Sequence, residues 1–550
     1  MWLLKRSPRE MRDLKSKHCF RKIAERRGLS SGQRVGKIYR GDLYTACFRG
    51  LIALFGVALQ ISVMLLLSLL VLRYTLLLYF ILEIVGIFFG LYLVYDGELY
   101  RFFWLVLILV LPVIGLFFYF VWGSRFVNRT SRKRLMRSLA LSKERLPDGE
   151  ASFLSFEREK HNQIACARYL KREGLPVYQN TSVRYYAVGD AMKDDLLKDL
   201  SAAKKRIWLQ YFIIFGGRVW DSIEEILAKK AKAGVDVRLL IDDVGCMRMI
   251  NRSFRHRMKE KGIRLNVFSP IHRDVTKLAM NYRNHQKILV VDNDIAYTGG
   301  INLSDEYFNL YPRYGHWKDS AVRLYGEGAQ TLAGIFVAMW NYTTDKRIER
   351  ISFSEALSLQ TTPQEGNGGY LQPFYCGPLK RRHNNADMVY QSVISHARDR
   401  VRISTPYLIL DRSMRETLCR VARSGVDVRI YTPRCYDKWY VHRVTEENYG
   451  RLLSEGVRIF EYLPGFIHAK NLLADEDCAI CGSINLDYRS FYFHYEDAVI
   501  FYGGNTVSEI DADFCETEKK CEEITLEMWR MRPWYRKALS WILKFCSPLF

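Results

Sequence analysis

The sequence predicts an α/β protein made of two pseudo-symmetric domains, with apolar helices ahead of them. Three observations carry this reading. Long uncharged runs are confined to the first quarter of the chain, a strand–helix–strand pattern occurs twice, and one polar constellation closes each copy. With 550 residues there is ample length for several cores, and 49% hydrophobic against 26% charged residues excludes a disordered or collagen-like chain.

The N-terminal part comes first. Residues 1–40 hold 13 Lys/Arg and 3 Asp/Glu. Leu51–Tyr95 is then apolar apart from Arg73 and Glu83, and Phe102–Trp122 carries no charge. A window of about 20 apolar residues is long enough to cross a bilayer, so residues 45–123 are expected to form two to three transmembrane helices. Neither the length nor the flanks match a cleaved signal peptide. The basic head (1–44) and the basic run Arg125–Arg134 both favour the cytoplasmic side. With both flanks there, one apolar segment would be re-entrant or interfacial, and Pro112 fits a bent or shallow insertion.

The net charge of +23 calls for an anionic partner, either nucleic acid or lipid headgroups. The 12 cysteines are scattered, and Cys478 and Cys481 form a lone C-x-x-C with no completing ligands. No metal and no cofactor are therefore expected, and the pair reads as buried free thiols on a strand.

After a charged connector (124–175) the pattern becomes soluble α/β, twice. Ala233-Gly-Val-Asp-Val-Arg238 recurs as Ser424-Gly-Val-Asp-Val-Arg429. Each follows a helical stretch, Ser222–Lys232 or Ser413–Arg423, and further upstream a β-rich run, Arg206–Phe212 or Arg400–Pro406. Gly262–Phe268 is answered downstream by Gly456–Tyr462. These are βαβ signals in a duplicated domain. They give a first domain over 176–357, a polar linker over 358–372 and a second domain over 373–525.

Each copy ends alike. His285-Gln-Lys287, with Asp292, Gly299, Gly300 and Asn302, is matched by His468-Ala-Lys470, with Asp475, Gly482, Ser483 and Asn485. The His-to-Gly spacing is 14 and the His-to-Asn spacing 17 in both. Alignment on Ala321-Val322 and Ala498-Val499 pairs Asp319 with Glu496. On a strand, His and Lys two apart share a face. An imidazole, an ammonium and a carboxamide together suit a phosphate. Two such sets bring two imidazoles to one phosphorus, one to attack and one to protonate the leaving oxygen. A carboxylate at Asp319 or Glu496 would fix an imidazole tautomer. Asp292 and Asp475 are counted with the catalytic set, although acids so far along also suit a loop-fixing role.

The double H-x-K-x4-D with its G-[GS]-x-N extension resembles the phospholipase D superfamily over roughly residues 176–525. The apolar head, the basic linker and the terminal Ser547-Pro-Leu-Phe550 resemble its branch of bacterial cardiolipin synthases. That resemblance implies two phospholipase D-type α/β domains with mixed sheets. It also implies transfer of a phosphatidyl group from one phosphatidylglycerol to another, with glycerol released through a phosphatidyl-histidine. By motif position His285 would be the nucleophile and His468 the acid, an order that pseudo-symmetry leaves exchangeable. Lys287, Lys470, Asn302 and Asn485 carry over as phosphate ligands, and Asp319 and Glu496 as histidine orienters. The expected partners are phosphatidylglycerol and anionic membrane lipid, not nucleic acid, at the bacterial cell membrane with the catalytic domains on the cytoplasmic face. The sequence fixes no oligomeric state.

Phospholipid hydrolysis, nucleic-acid phosphodiester cleavage and a non-enzymatic membrane scaffold are the competing readings. The apolar segments weigh against the nuclease, and two intact motifs weigh against the scaffold. The tail (526–550) interleaves Trp529, Trp534, Tyr535 and Trp541 with Arg530, Arg532, Arg536, Lys537 and Lys544. That suits an interfacial segment, with packing onto the catalytic part as the plainer alternative. Leu379-Lys-Arg-Arg-His383 reads as a solvated basic loop.

Overall fold

The computed structural model describes residues 129–159, 161–270, 282–344, 349–357, 366, 368–379 and 384–545. In the N-terminal region it describes 58–66, 81, 84, 104–108 and 111–119. The chain divides into two compact units, 1–123 and 124–550. Most of the expected membrane region, most of the 358–372 linker, the basic run 380–383 and the last five residues lie outside the described residues. In the first unit 58–66 is helical with Leu59, Ile61, Met64, Leu65 and Leu66 exposed. Pro112, at the first turn, begins the short helix Pro112–Phe118. Among the described residues no helix is long and apolar enough to cross a membrane.

The repeated sequence in the second unit has a direct structural cause. In helix Arg218–Lys232 the apolar face Val219, Trp220, Ile223 and Leu227 is buried, and in Arg412–Arg423 the face Met414, Leu418 and Val421 is. Carboxylates cap both starts: Asp305 accepts from the backbone of Arg218 (3.1 Å) and Val219 (3.0 Å), Asp411 from that of Met414 (2.7 Å). The glycine ending each, Gly234 (φ 88°) or Gly425 (φ 98°), is left-handed, where a side chain would be strained. In the strands that follow, Asp236 pairs with Arg238 (2.8 Å) and Asp427 with Arg429 (2.5 Å). This is the same-face contact that D-x-R gives on a strand.

The first half contributes strands β1 (Thr181–Tyr186), β2 (Arg206–Tyr211), β3 (Asp236–Asp242), β4 (Arg264–Phe268), β5 (Arg283–Asn284), β6 (Ile288–Val291), β7 (Ile295–Gly299), β8 (His316–Lys318) and β9 (Ala321–Gly326). The second contributes β10 (Tyr370–Cys376), β11 (Arg400–Ser404), β12 (Asp427–Pro433), β13 (Arg458–Tyr462), β14 (Gly465–Ile467), β15 (Asn471–Ala474), β16 (Cys478–Gly482), β17 (His494–Tyr502) and β18 (Cys521–Ile524). The sheet orders are β1-β9-β7-β6-β2-β3-β4 and β10-β17-β16-β15-β11-β12-β13-β18. The two match strand for strand, with β18 added at one edge. Both are mixed: β2, β3 and β4 run parallel while β6, β7, β9 and β1 alternate.

Two short parallel pairings join the halves. Strand β5 lies along the start of β17, with Arg283 opposite His494. Strand β14 lies along β8, with Gly465 opposite His316. Each pairing sits immediately before a motif histidine.

The stretch expected as a charged connector folds as helices Arg129–Lys143, Glu150–Arg158 and Ile164–Arg172. They pack on the catalytic part: Arg134 donates to the carbonyl of Thr344 (2.6 Å) and Asn162 to Asp477 (2.8 Å). Cys478 and Cys481 are fully buried free thiols on β16. In the tail, Trp529 donates its indole N–H to the carbonyl of Glu446 (2.7 Å) and packs over Gly450, where a Cβ would come within 2.4 Å of its ring. Arg532 pairs with Glu447 (3.2 Å). Helix Trp534–Phe545 thus packs by one face, and its other face leaves Trp534 80% and Trp541 69% exposed.

Candidate active site

Neither H-x-K lies within a regular strand, as the alternation argument supposed. His285–Lys287 links β5 to β6, and His468–Lys470 links β14 to β15. The physical reason is the change of partners. The chain leaves a strand paired with the other half and enters its own sheet, so the motif spans the junction. The backbone N–H of His285 still donates across to Tyr495 (2.9 Å), and that of His468 to Lys318 (2.6 Å).

This crossing decides which carboxylate meets which imidazole. His285 Nδ1 lies 2.9 and 2.8 Å from the two oxygens of Glu496, and His468 Nδ1 lies 2.5 Å from Asp319 Oδ2. Each histidine is oriented by the other half. Both carboxylates are fully buried, the lysines are 1% exposed, and His285 and His468 keep 7% and 5%. The imidazoles are therefore the least buried of these groups. With Nδ1 tied to an anion, each Nε2 is the atom left to face a substrate.

The two carboxylates are held differently. Glu496 also accepts from the hydroxyls of Ser483 (2.6 Å) and Ser490 (2.8 Å). Asp319 accepts from the backbone N–H of Ser320 (2.9 Å) and lies 3.9 Å from the Lys470 ammonium. Gly300 is required there, because a Cβ at 300 would sit 2.0 Å from Asp319 Oδ1. At the matching position the second half has Ser483, whose partner is the longer Glu496.

Lys470 Nζ stands 2.7 Å from His468 Nδ1 and also meets the carbonyl of His468, as Lys287 meets the carbonyl of His285. Burial pulls Lys287 down to about 7 and Lys470 to about 8. Burial, then Lys470, lowers His468 to about 4, and burial, then Lys287 and Lys470, holds His285 well below its usual value. Lysines of both halves act on each imidazole, so the two motifs form one site. Both imidazoles thus favour the neutral form, and a bound phosphodiester would favour protonation of the one that acts as the acid.

Other expected residues fall elsewhere. Asp292 and Asp475 are corrected from the catalytic set. They follow the last residues of β6 and β15, about 16 Å of extended chain beyond the lysines. Asp292 accepts from the backbone of Lys204 (2.7 Å), Lys205 (2.7 Å) and Arg206 (2.8 Å), and Asp475 from that of Arg398 (2.9 Å), Asp399 (2.9 Å) and Arg400 (3.0 Å). They pin the starts of β2 and β11. Asn302 commits its carboxamide to the Ile213 N–H (3.0 Å) and the Tyr307 hydroxyl (2.9 Å). Asn485 Oδ1 is buried and has no hydrogen-bond partner among the described residues.

Rings that sequence reasoning did not select pack around the imidazoles. Phe212 (4.9 Å between centroids) and His494 (5.3 Å) flank His285, while Trp317 (5.5 Å), Tyr307 (5.5 Å) and Phe466 (5.6 Å) flank His468. Trp317 and His494 stand two residues before Asp319 and Glu496, so the carboxylate alignment already held that signal.

Comparison with known proteins agrees with this architecture. The family described as cardiolipin synthase, PLD-like domain, matches residues 196–340 and 390–517. An uncharacterized protein of Streptococcus mutans is 37% identical over 447 residues, which is 81% of this chain and 95% of that protein. A cardiolipin synthase of Halalkalibacterium halodurans is 30% identical over 451 residues, 81% of this chain and 88% of its own length. The crystal structure of phosphatidylserine synthase from Haemophilus influenzae superposes with a TM-score of 0.54 at 13% identity, covering 68% of this chain and 97% of that one. That likeness is one of fold. With the duplicated fold, the paired histidines and these relatives in agreement, the chain belongs to the cardiolipin synthase family of phospholipase D-like proteins.

Proposed function

We infer that this protein is a phosphatidyltransferase that makes cardiolipin from two molecules of phosphatidylglycerol and releases glycerol. The crossed His–carboxylate pairs carry the mechanism, because they engage each Nδ1 with a carboxylate of the other half and leave each Nε2 available to a phosphate. His468 takes up a proton on Nε2 once the phosphodiester is bound; His285 Nε2 then attacks the phosphorus of the first phosphatidylglycerol, and the bond to the glycerol oxygen breaks as His468 delivers that proton to it. His468 then takes the proton of the headgroup hydroxyl of a second phosphatidylglycerol. That oxygen attacks the phosphorus, and the phosphorus–His285 bond breaks. Lys287 and Lys470 neutralise the charge that develops on the phosphoryl oxygens. Asp319 and Glu496 hold each ring in register through its Nδ1.

The same reading places the enzyme at the bacterial cell membrane, with the catalytic unit against the cytoplasmic leaflet. Support comes from the apolar runs of 45–123, the basic head, and the aromatic face of helix Trp534–Phe545 among cationic side chains. Its substrates are then the anionic lipids of that leaflet rather than nucleic acid.

The test supplies the full chain, reconstituted in vesicles, with labelled phosphatidylglycerol as the sole lipid substrate. Cardiolipin and free glycerol in equal amounts, at a rate unchanged by a chelator, are expected. Phosphatidic acid as the only labelled product would replace this reading with hydrolysis.

A further inference from the structure

The large apolar side chains that the two halves leave exposed are not scattered. Among the described residues of 176–357 they are Phe215, Val244, Met247 and Tyr311. Among those of 373–525 they are Met388, Tyr436, Trp439 and Leu463. All of these but Met388 lie on segments at one end of the sheets, the end that carries the motifs. Phe215 follows β2, and Val244 and Met247 follow β3, which runs parallel to β2. The end of β2 meets the start of β6, directly after Lys287, where Gln210 pairs with Ile288. Tyr436 and Trp439 follow β12, and Leu463 follows β13. Both strands run parallel to β11, whose end meets the start of β15, directly after Lys470. Tyr311 lies between Asn302 and β8.

These segments are tied to the site. Fully buried Asp242 accepts from the backbone N–H of Val244 (2.9 Å) and of Asn284 (3.0 Å), the residue before His285. A Cβ at Gly245 would come within 1.9 Å of the Phe212 carbonyl oxygen, so the turn carrying Val244 and Met247 lies directly on the residue that follows β2. In the second half Asp437 accepts from the Tyr407 hydroxyl (2.6 Å). Tyr407 packs against the cluster that holds Tyr307, Trp317 and Phe466, the rings around His468. The exposed side chains thus border the site from both halves. Arg248 and Lys438 stand exposed among them.

Apolar side chains interleaved with cations suit an anionic lipid surface. The substrate supplies a second argument. A phosphodiester lies at headgroup depth, and carrying it to a site in open water would expose the methylenes of both acyl chains. We propose that the rim of the active site, through Phe215, Met247, Tyr436 and Trp439, seats in an anionic phospholipid bilayer, so that phosphatidylglycerol reaches the histidines without leaving it. The proposal rests on the phosphatidyl-transfer reading. It makes the motif end of the catalytic unit a membrane-contacting face in its own right, besides the tail helix.

The test uses the full chain and places Met247→Ser, Trp439→Ser and their double variant beside Met388→Ser. The first two residues are 48% and 52% exposed, and Met388, away from the rim, is 41% exposed. Cardiolipin formation is measured on phosphatidylglycerol in vesicles and, with detergent-solubilised enzyme, on dihexanoyl phosphatidylglycerol, which dissolves as single molecules. The double variant is expected to lose about tenfold in kcat/KM on vesicles and to stay within about twofold on the short-chain lipid. Met388→Ser is expected to stay within about twofold on both. Trp439 is also read directly, as the part of the tryptophan emission that Trp439→Phe removes. Dibrominated phosphatidylcholine mixed into the vesicles is expected to quench that part by at least about half. Equal losses of the double variant on the two substrates, no loss on vesicles, or a matching loss in Met388→Ser would overturn the proposal. So would unquenched Trp439 emission, which would assign the rim to a protein neighbour, a second copy of the chain included. Wild-type enzyme that made no cardiolipin while Trp439 was quenched would instead defeat the reading beneath and leave the seating standing.

Discussion

The matched pairs Gly300 with Asp319 and Ser483 with Glu496 predict a rescue. Gly300→Ser puts a Cβ 2.0 Å from Asp319 Oδ1, more than about 1 Å inside ordinary contact, so the carboxylate must move. It then gives up the 2.5 Å contact with His468 and the 2.9 Å bond from Ser320. A charge-assisted bond of this kind contributes about 2–3 kcal/mol, and its loss in the transition state lowers kcat about 30- to 150-fold. Asp319→Glu alone forces a methylene into a packed space and costs about tenfold. Independent effects would multiply to about 300- to 1500-fold. The second half, however, already holds a serine beside a glutamate, with the hydroxyl donating to the acid at 2.6 Å. The double variant Gly300→Ser/Asp319→Glu is therefore expected to return to within about tenfold of wild type, a coupling of at least about 2 kcal/mol. The assay is cardiolipin formation from labelled phosphatidylglycerol in vesicles, kcat resolved from KM, with Tm as a check on folding. A double variant as slow as the product of the singles would refute the idea that residue 300 and the carboxylate are co-adapted.

Three further outcomes are expected. His285→Ala and His468→Ala each lower cardiolipin formation at least about 10³-fold, and residual turnover of a few per cent in either would contradict the two-histidine mechanism. Asp292→Ala removes three backbone hydrogen bonds; it should lower stability by about 2–3 kcal/mol, read as Tm, while kcat of the folded fraction stays within about threefold. Because Lys287 and Lys470 are lowered to about 7 and 8, kcat/KM should fall as pH rises through that range. Stability should do the opposite. Between pH 7 and the ordinary lysine value of 10.5 the unfolded chain binds more protons, so the urea midpoint should rise with pH there. A urea midpoint that fell across that window would contradict buried lysines.

Much of this was legible because the chain repeats itself. Gly234 and Gly425 mark the left-handed helix ends, and the D-V-R pairs mark the next strand, so the βαβ units could be placed without a structure. The His, Lys and carboxylate members were legible for the same reason. Spacing within one half could not reveal that β5 pairs with β17 and β14 with β8, since pairing between distant segments leaves no local periodicity. That is why Asp319 and Glu496 could be named but not assigned to a histidine. Asp292 was overcounted because sequence proximity to the H-x-K stood in for spatial proximity, and a strand carries it away from the site. His494 went unselected because it meets the His285 ring only in space.

The exchange of carboxylates between halves also bears on how such a chain can evolve. Duplication ordinarily frees one copy to drift. Here the fragment encoding either half carries a histidine without its acid and an acid without its histidine. Neither copy is spare, and selection acts on both from the moment of fusion. Two identical single-length chains meeting through the same short pairings would hold the two histidines and two carboxylates of one complete site. The covalent link then added the freedom to make the two imidazoles different, which a symmetric pair of identical chains could not do.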